Sequence, residues 1–464
     1  MLPVDFFKIV FIQTCKLMKP GRLLLILSAL PFLAGGCTDR CEKTQIVRQI
    51  RPVTLSAAEV RSKVKIQAPA DLEQPGKIYI KDQYLFINEI KKGIHIIDNS
   101  NPSNPRHVSF ISIPGNGDMA VKDHILYADS YMDLVAIDIS NPEQAHEAGR
   151  KQNAFTSGVF DGLGWSYDAG TGTISDQEMY FLEETFETNC EGVVPNPGYW
   201  WWGGIYAFYG TAYLSSSITG SSSSSYSGST AQSAGAGTGG SMARFTLYDD
   251  YLYTVDQRKL QLFDVSSLTS PAFVKDIDLG WGVETIFPYR DKLFIGTSTG
   301  MHIFDNSTPS EPKHLSEFRH IRACDPVVVH EDVAYVTLRS GNVCGGSVNR
   351  LEVVDISNLA NPQLVKAYEM QNPAGLSINY PTLFVCEGEY GLKGFDVSDK
   401  FAVDKNMLFH EKGMEAYDII SMDDNVMMIG KDGLYQYNAS DPKNLRKLSH
   451  IPVRAPAVIT EKKE

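Results

Sequence analysis

One phrase recurs along this chain. Residues 93–105 read GIHIIDNSNPSNP: an apolar run, an aspartate, then Asn, Ser and Pro. The same phrase returns as LVAIDISNP (134–142), LQLFDVSSLTSP (260–271), MHIFDNSTPSEP (301–312), LEVVDISNLANP (351–362) and LKGFDVSD (392–399), with a degenerate copy, LYQYNASDP, at 434–442. The marker residues are Asp98, Asp138, Asp264, Asp305, Asp355, Asp396 and Asn438, spaced 40, 126, 41, 50, 41 and 42 apart. A period near 40 residues requires a repeat architecture, and the long spacing holds an insertion of about two periods.

Each period has the same internal order. In 325–368, the runs DPVVVH, VAYVTL, LEVVDIS and QLVKAYEM are separated by a Glu-Asp break, the loop SGNVCGGSVN and the turn NLANP. Four short β-branched or alternating runs divided by turn chemistry predict an antiparallel meander. Helical periodicity is confined to one short turn at SAAEVRSK (56–63). A four-stranded meander repeated every 40 residues predicts a β-propeller, and seven copies predict seven blades. With strands lettered A to D, the A–B and C–D turns lie at one face. The B–C loops and D-to-A connections lie at the other. The repeated aspartate ends strand C, where its carboxylate can accept a backbone N–H two residues on; the proline fixes φ and removes a donor. Six copies of one aspartate suit a repeated cap, not one catalytic site.

The residues also resemble the LVIVD-repeat family, LEVVDISNLANPQLV (351–365) most closely and GIHIIDNSNPSNPRHV (93–108) next. The resemblance covers about residues 76–453 outside the insertion. It implies a propeller and assigns no activity.

The N-terminus reads differently. Lys19 and Arg22 precede LLLILSALPFLAGG, which ends at Cys37. A basic region, a short apolar run and small residues predict a secretory signal. AGGC resembles a bacterial lipobox, which implies cleavage before Cys37 and acylation of that residue. The expected organisation is a signal peptide over 1–36, a tether over 37–62 and a propeller over 63–456 interrupted at 154–242. The expected setting is exported, on the cell membrane or outer membrane, with the side it faces left open. Loss of residues 1–36, with four basic side chains and one acidic, moves the formal charge from −13 to −16. Such a body argues against nucleic acid as a partner and leaves the acyl group to hold the bilayer.

Departures from the repeat mark candidate sites. The insertion packs Tyr199, Trp200, Trp201, Trp202 and Tyr206 together and ends in a Ser/Gly-rich stretch, 215–240, that reads as flexible. Aromatics of this density suit a protein- or glycan-binding surface, or packing against the blade tops. The strand-like EMYFLEETFETNC (178–190) lies inside it. The B–C loop 340–349 is longer than its counterparts, and hairpin geometry brings Cys324 and Cys344 to the same end as a candidate disulfide. Closing that loop would stabilise by about 3 kcal/mol in the chain-entropy model. Cys386 reads as a buried free thiol; Cys41 and Cys190 have no assignable partners.

Catalytic motifs fail on context. GTSTG (296–300) matches the nucleophile-elbow pattern but lies between two strands instead of before a helix. His330-Glu331 and His410-Glu411 lack the second histidine of a zinc motif. The remaining candidate is the funnel. Aligned repeats put Asp118, Arg244, Glu284, Asp325 and Asp418 at the starts of strand A, with His320 near the same rim. Converging carboxylates suit Ca²⁺ or an acid–base pair; alternatively they are solvated charges in an acidic funnel. Three functions follow: an envelope scaffold binding protein or glycan, an envelope hydrolase using the funnel and perhaps calcium, or a structural subunit of an envelope complex.

Overall fold

The computed structural model describes residues 40–160, 162–189, 236–321, 326–340 and 348–454. The chain divides into two compact units. One comprises 1–43 with 185–194, of which 40–43 and 185–189 are described as strand; the other holds everything else. No described helix is long and apolar enough to cross a membrane.

Eight antiparallel sheets are described, and seven are meanders of consecutive strands. We number these I (75–112), II (119–151), III (245–278), IV (283–319), V (327–369), VI (376–411) and VII (416–452). In sheet I, strands A to D are Pro75–Lys81, Tyr84–Glu89, Gly93–Asp98 and Arg106–Ser112. In sheet V they are Val327–His330, Val333–Leu338, Arg350–Asp355 and Gln363–Glu369, on the four runs read from the sequence. The first strands of successive sheets lie against one another from I through to VII, and strand A of sheet I also meets Asn425–Gly430 of sheet VII. Apolar faces close each interface. Ile78, Ile80, Leu85 and Ile87 of sheet I pack with Ile420, Met427, Ile429 and Leu434 of sheet VII, all buried. Each such side chain contributes about 1.5–3 kcal/mol.

The repeated phrase has a single structural use. The carboxylates of Asp98, Asp138, Asp264, Asp305, Asp355 and Asp396 each accept the backbone N–H of the serine two residues on, at 2.8–3.1 Å. Asn438 does the same through its amide oxygen, at 3.2 Å, so the degenerate copy keeps the cap. The capped turns then join neighbouring sheets. Ser109 Oγ of sheet I donates to Pro142 O of II, Tyr127 OH of II to Leu268 O of III, and Tyr253 OH of III to Pro309 O of IV. Ser316 of IV, Tyr368 of V and Ser449 of VII donate to Leu359, Lys400 and Pro102 in the same way. The register between strands C and D slips once in every sheet, for instance between Ile96/Ile97 and between Val353/Val354. A bulge at this point kinks each outer edge and hinders edge-to-edge pairing.

The other regions refine the expectations. Within the span read as a tether, residues 40–56 form strand β1 (Arg40–Ser56), and helix α1 (Ala57–Ser62) follows, capped by Ser56 Oγ. The first part of the insertion is ordered. Ser157–Phe160, Leu163–Asp168 and Thr173–Asn189 build the eighth sheet with β1 on its outside. Sequence reading saw only the third of these strands, because the first two lack strict alternation. Lys91 and Tyr131 at the B–C turns of sheets I and II bind Asp176 of this sheet, Lys91 Nζ at 2.8 Å and Tyr131 OH at 2.6 Å. Arg61 of α1 and Arg150 both bind Asp133, each with a closest approach of 2.7 Å. Lys65–Gln67 adds a fifth strand outside sheet I. The Ser/Gly-rich stretch read as flexible also needs correction at its end: Ala236 and Thr238 pair with the inner strands of sheets II and I. Residues 215–235 lie outside the described residues.

Candidate functional site

Among the described residues, the starts of the inner strands carry buried, partnered groups and not a solvated carboxylate cluster. Asp118 and Asp418 are 3% and 0% exposed. Asp118 Oδ1 accepts the N–H of Met119 at 2.7 Å, and its Oδ2 takes both Lys77 Nζ and the Arg244 N–H. Lys77 is one of the residues that sequence reading missed. It occupies the third position of strand A in sheet I, the same position that Asp418 occupies in sheet VII, and only the aligned starts gave a signal for it. Burial pushes the Lys77 ammonium below its ordinary value, against the pull of Asp118. Asp418 Oδ1 accepts the Ile419 N–H at 2.9 Å, while its Oδ2 is buried with no hydrogen-bond partner among the described residues. Burial pushes this carboxyl well above its usual range.

The second layer is structural. Asp129 Oδ1 accepts the N–H groups of Gly117 and Asp118 at 2.8 and 2.9 Å. Burial raises the Asp129 carboxyl to about 6. Glu89 and Glu387, near the ends of strand B in sheets I and VI, take the N–H groups of Glu73 and Gln371 at 3.1 and 3.0 Å. An acid at this place latches the incoming connection. Glu284 lies beside the buried Arg339 guanidinium, whose pKa burial lowers and Glu284 supports. Arg244 NH1 reaches Val159 O at 3.3 Å. Asp325, Cys324, Cys344, Cys37 and the aromatic set Tyr199, Trp200, Trp201, Trp202 and Tyr206 lie outside the described residues.

A calcium cage needs several converging oxygens with lone pairs to spare. Asp118 has spent both oxygens on donors, Lys77 and Arg244 stand among the acids, and Asp418 has one free oxygen. The described part of the funnel therefore does not fit that ion, and no group of three or more metal ligands is present among the described residues. Ser298 sits in the turn between strands Lys292–Thr297 and Gly300–Asp305, not at a helix. Cys386 is a buried free thiol, raised by burial.

The face at this end carries a different feature. Trp281, Ile321 and Tyr390 are 62%, 48% and 38% exposed, on the III–IV connection, the IV–V connection and the B–C loop of VI.

This architecture defines a β-propeller repeat protein. Four stretches, 76–110, 117–151, 239–278 and 322–370, match the LVIVD repeat, and they fall on sheets I, II, III and V. The chain carries four LVIVD repeats. No curated protein matches it. Among solved structures it is similar to the computationally designed Ika8 protein, at 9% identity and TM-score 0.47, over 86% of this chain and 94% of that one. It is also similar to BamB from Moraxella catarrhalis, at 8% and 0.42 over 83% and 99%. Apo AztD from Citrobacter koseri is similar at 11% and 0.41, over 82% and 96%.

Proposed function

We propose that this protein is a lipid-anchored envelope scaffold: a closed ring of seven blades that binds a protein or glycan through its B–C/D–A face. The contact between sheets VII and I supports the closed count of seven, with the eighth sheet as an appendage from the insertion and the N-terminus. The basic-apolar-Cys37 pattern supports the anchor. The observation that carries the binding reading is the exposure of Trp281, Ile321 and Tyr390 at the end where Asp118 and Lys77 are spent on one another. An exposed tryptophan offers large contact area with few rotatable bonds. The insertion aromatics Tyr199, Trp200, Trp201, Trp202 and Tyr206 extend the same proposal.

The test is quantitative affinity capture from native envelopes. Intact protein is compared with Trp281→Ala and with Trp200, Trp201 and Trp202 changed to Ser. These changes spare the described strands within 157–189 and the segment 236–243. A partner enriched by the intact protein and lost with either change is the expected result. Equal recovery with all three proteins would sink the proposal.

A further inference from the structure

Residues 236–243 run through the middle of the propeller. Ala236 bridges Lys122, the last residue of strand A in sheet II, and Thr238 bridges Ile80 of strand A in sheet I, both antiparallel. Ile80 and Thr238 exchange both backbone bonds, at 2.9 and 2.7 Å, and the Gly237 N–H donates to Val121 O at 2.9 Å. Further along, Ser241 Oγ accepts the N–H of Leu376, the first residue of strand A in sheet VI, at 3.2 Å. Ala243 O accepts the Ile286 N–H of sheet IV at 2.8 Å. The segment thus enters near the A–B end, passes four sheets and leaves near the D–A end, where Arg244 meets Asp118.

The physical basis is the inward edge of each blade. Strand A pairs with strand B on one side only, so its other edge offers unpaired N–H and C=O groups toward the axis. An extended peptide that satisfies them is a strand addition. The inner wall selects the peptide by size. At Gly237 a Cβ would fall on Ile80 O and the Tyr79 ring, and at Gly239 it would meet Tyr79 Cδ2 at 2.9 Å. Tyr79 is buried and has no room to give.

We propose that the central channel is a binding site for an extended glycine-rich strand, which this chain fills in cis with residues 236–241. The site reads backbone hydrogen bonds and small side chains, so an unattached peptide of the same sequence binds once the internal copy is displaced.

The test uses the full chain carrying Gly237→Leu and Gly239→Leu together, and the fluorescent peptide AGTGGSMA as probe. The expected result is binding of the peptide by the folded double variant and none by the unmodified protein. A folded double variant that ignores the peptide overturns the proposal, as does equal binding by both proteins. Hydrogen exchange on the unmodified chain gives an answer independent of whether the variant folds. The amides of Ile80, Gly237 and Thr238 are expected to exchange at least about a hundredfold more slowly than in a free peptide. Free-peptide rates at Gly237 and Thr238 would overturn it.

Discussion

Asp355 and Asp418 are the same side chain at two places in one ring, and they titrate in opposite directions. Asp355 ends strand C of sheet V at a solvent-facing turn. It accepts the Ser357 hydroxyl at 2.6 Å, Lys400 Nζ at 2.9 Å and the Ser357 N–H at 3.0 Å. These donors, the Ser357 hydroxyl first, hold it down to about 2. Asp418 lies on the inner strand of sheet VII, fully buried, with one oxygen that has no hydrogen-bond partner among the described residues. A repeated aspartate stabilises its charge with local donors, whereas an aspartate used once, in the channel, meets whatever the closed ring puts beside it.

The largest expected effect tests the buried side of this contrast. Asp133 is fully buried and binds two arginines and the Asn153 N–H. Asp133→Ala leaves Arg150 with Glu147 alone and Arg61 with only the Asn153 amide oxygen, and is expected to cost about 3 kcal/mol in urea unfolding. A cost below that of losing one turn cap would erase the distinction.

Asp418→Asn sharpens it with a sign. A carboxyl whose folded pKa is raised favours folding fully below its unfolded value, near 3.8, and that contribution is lost as pH rises through the folded value. The variant is therefore expected to match the native protein near pH 4 and exceed it at pH 8. The gain should be about 1.4 kcal/mol for each unit of displacement. Denaturation midpoints at the two pH values measure it, and a variant less stable at pH 8 contradicts it.

Asp355→Ala runs the other way. Its carboxylate contributes above the ordinary value and the contribution fades as pH falls toward about 2. The loss at pH 7 is expected to be about 1 kcal/mol, as for a lost helix cap. The difference between variant and native protein should shrink on acidification; a constant difference would mean the charge is irrelevant. Ser449→Ala removes the bond from sheet VII to Pro102 O of sheet I, with an expected cost of about 1 kcal/mol. Asn438→Asp is the smallest change, within about 0.5 kcal/mol at neutral pH, because the cap geometry is already in place. A thermal scan of the last two against the native protein suffices.

Much of the fold was legible in the chain. Each strand of sheet V follows a run of apolar or alternating residues, and each cap follows from an aspartate two residues before a serine. These are local rules, acting within one hairpin. The eighth sheet was half legible: Thr173–Asn189 had a strand-like stretch, but its pairing with β1 joins segments more than 100 residues apart. At the mouth, the aligned strand starts singled out Asp118, Arg244, Glu284 and Asp418. They did not reveal Lys77, Arg339 or Asp129 between the acids, and so the charge balance was missed.

By itself, the sequence determined the period, the four-stranded unit and the turn caps. Hydrogen bonds two residues apart and side-chain alternation need no distant partner. Only the tertiary structure decided that Lys77 meets Asp118 and that Ser241 reaches Leu376, 41 and 135 residues away. Such contacts exist because the ring closes and turns its inner edges toward one axis. A glycine-rich segment has no periodicity to announce that it fills that axis; its fit comes from the space and the unpaired backbone groups that the other strands leave.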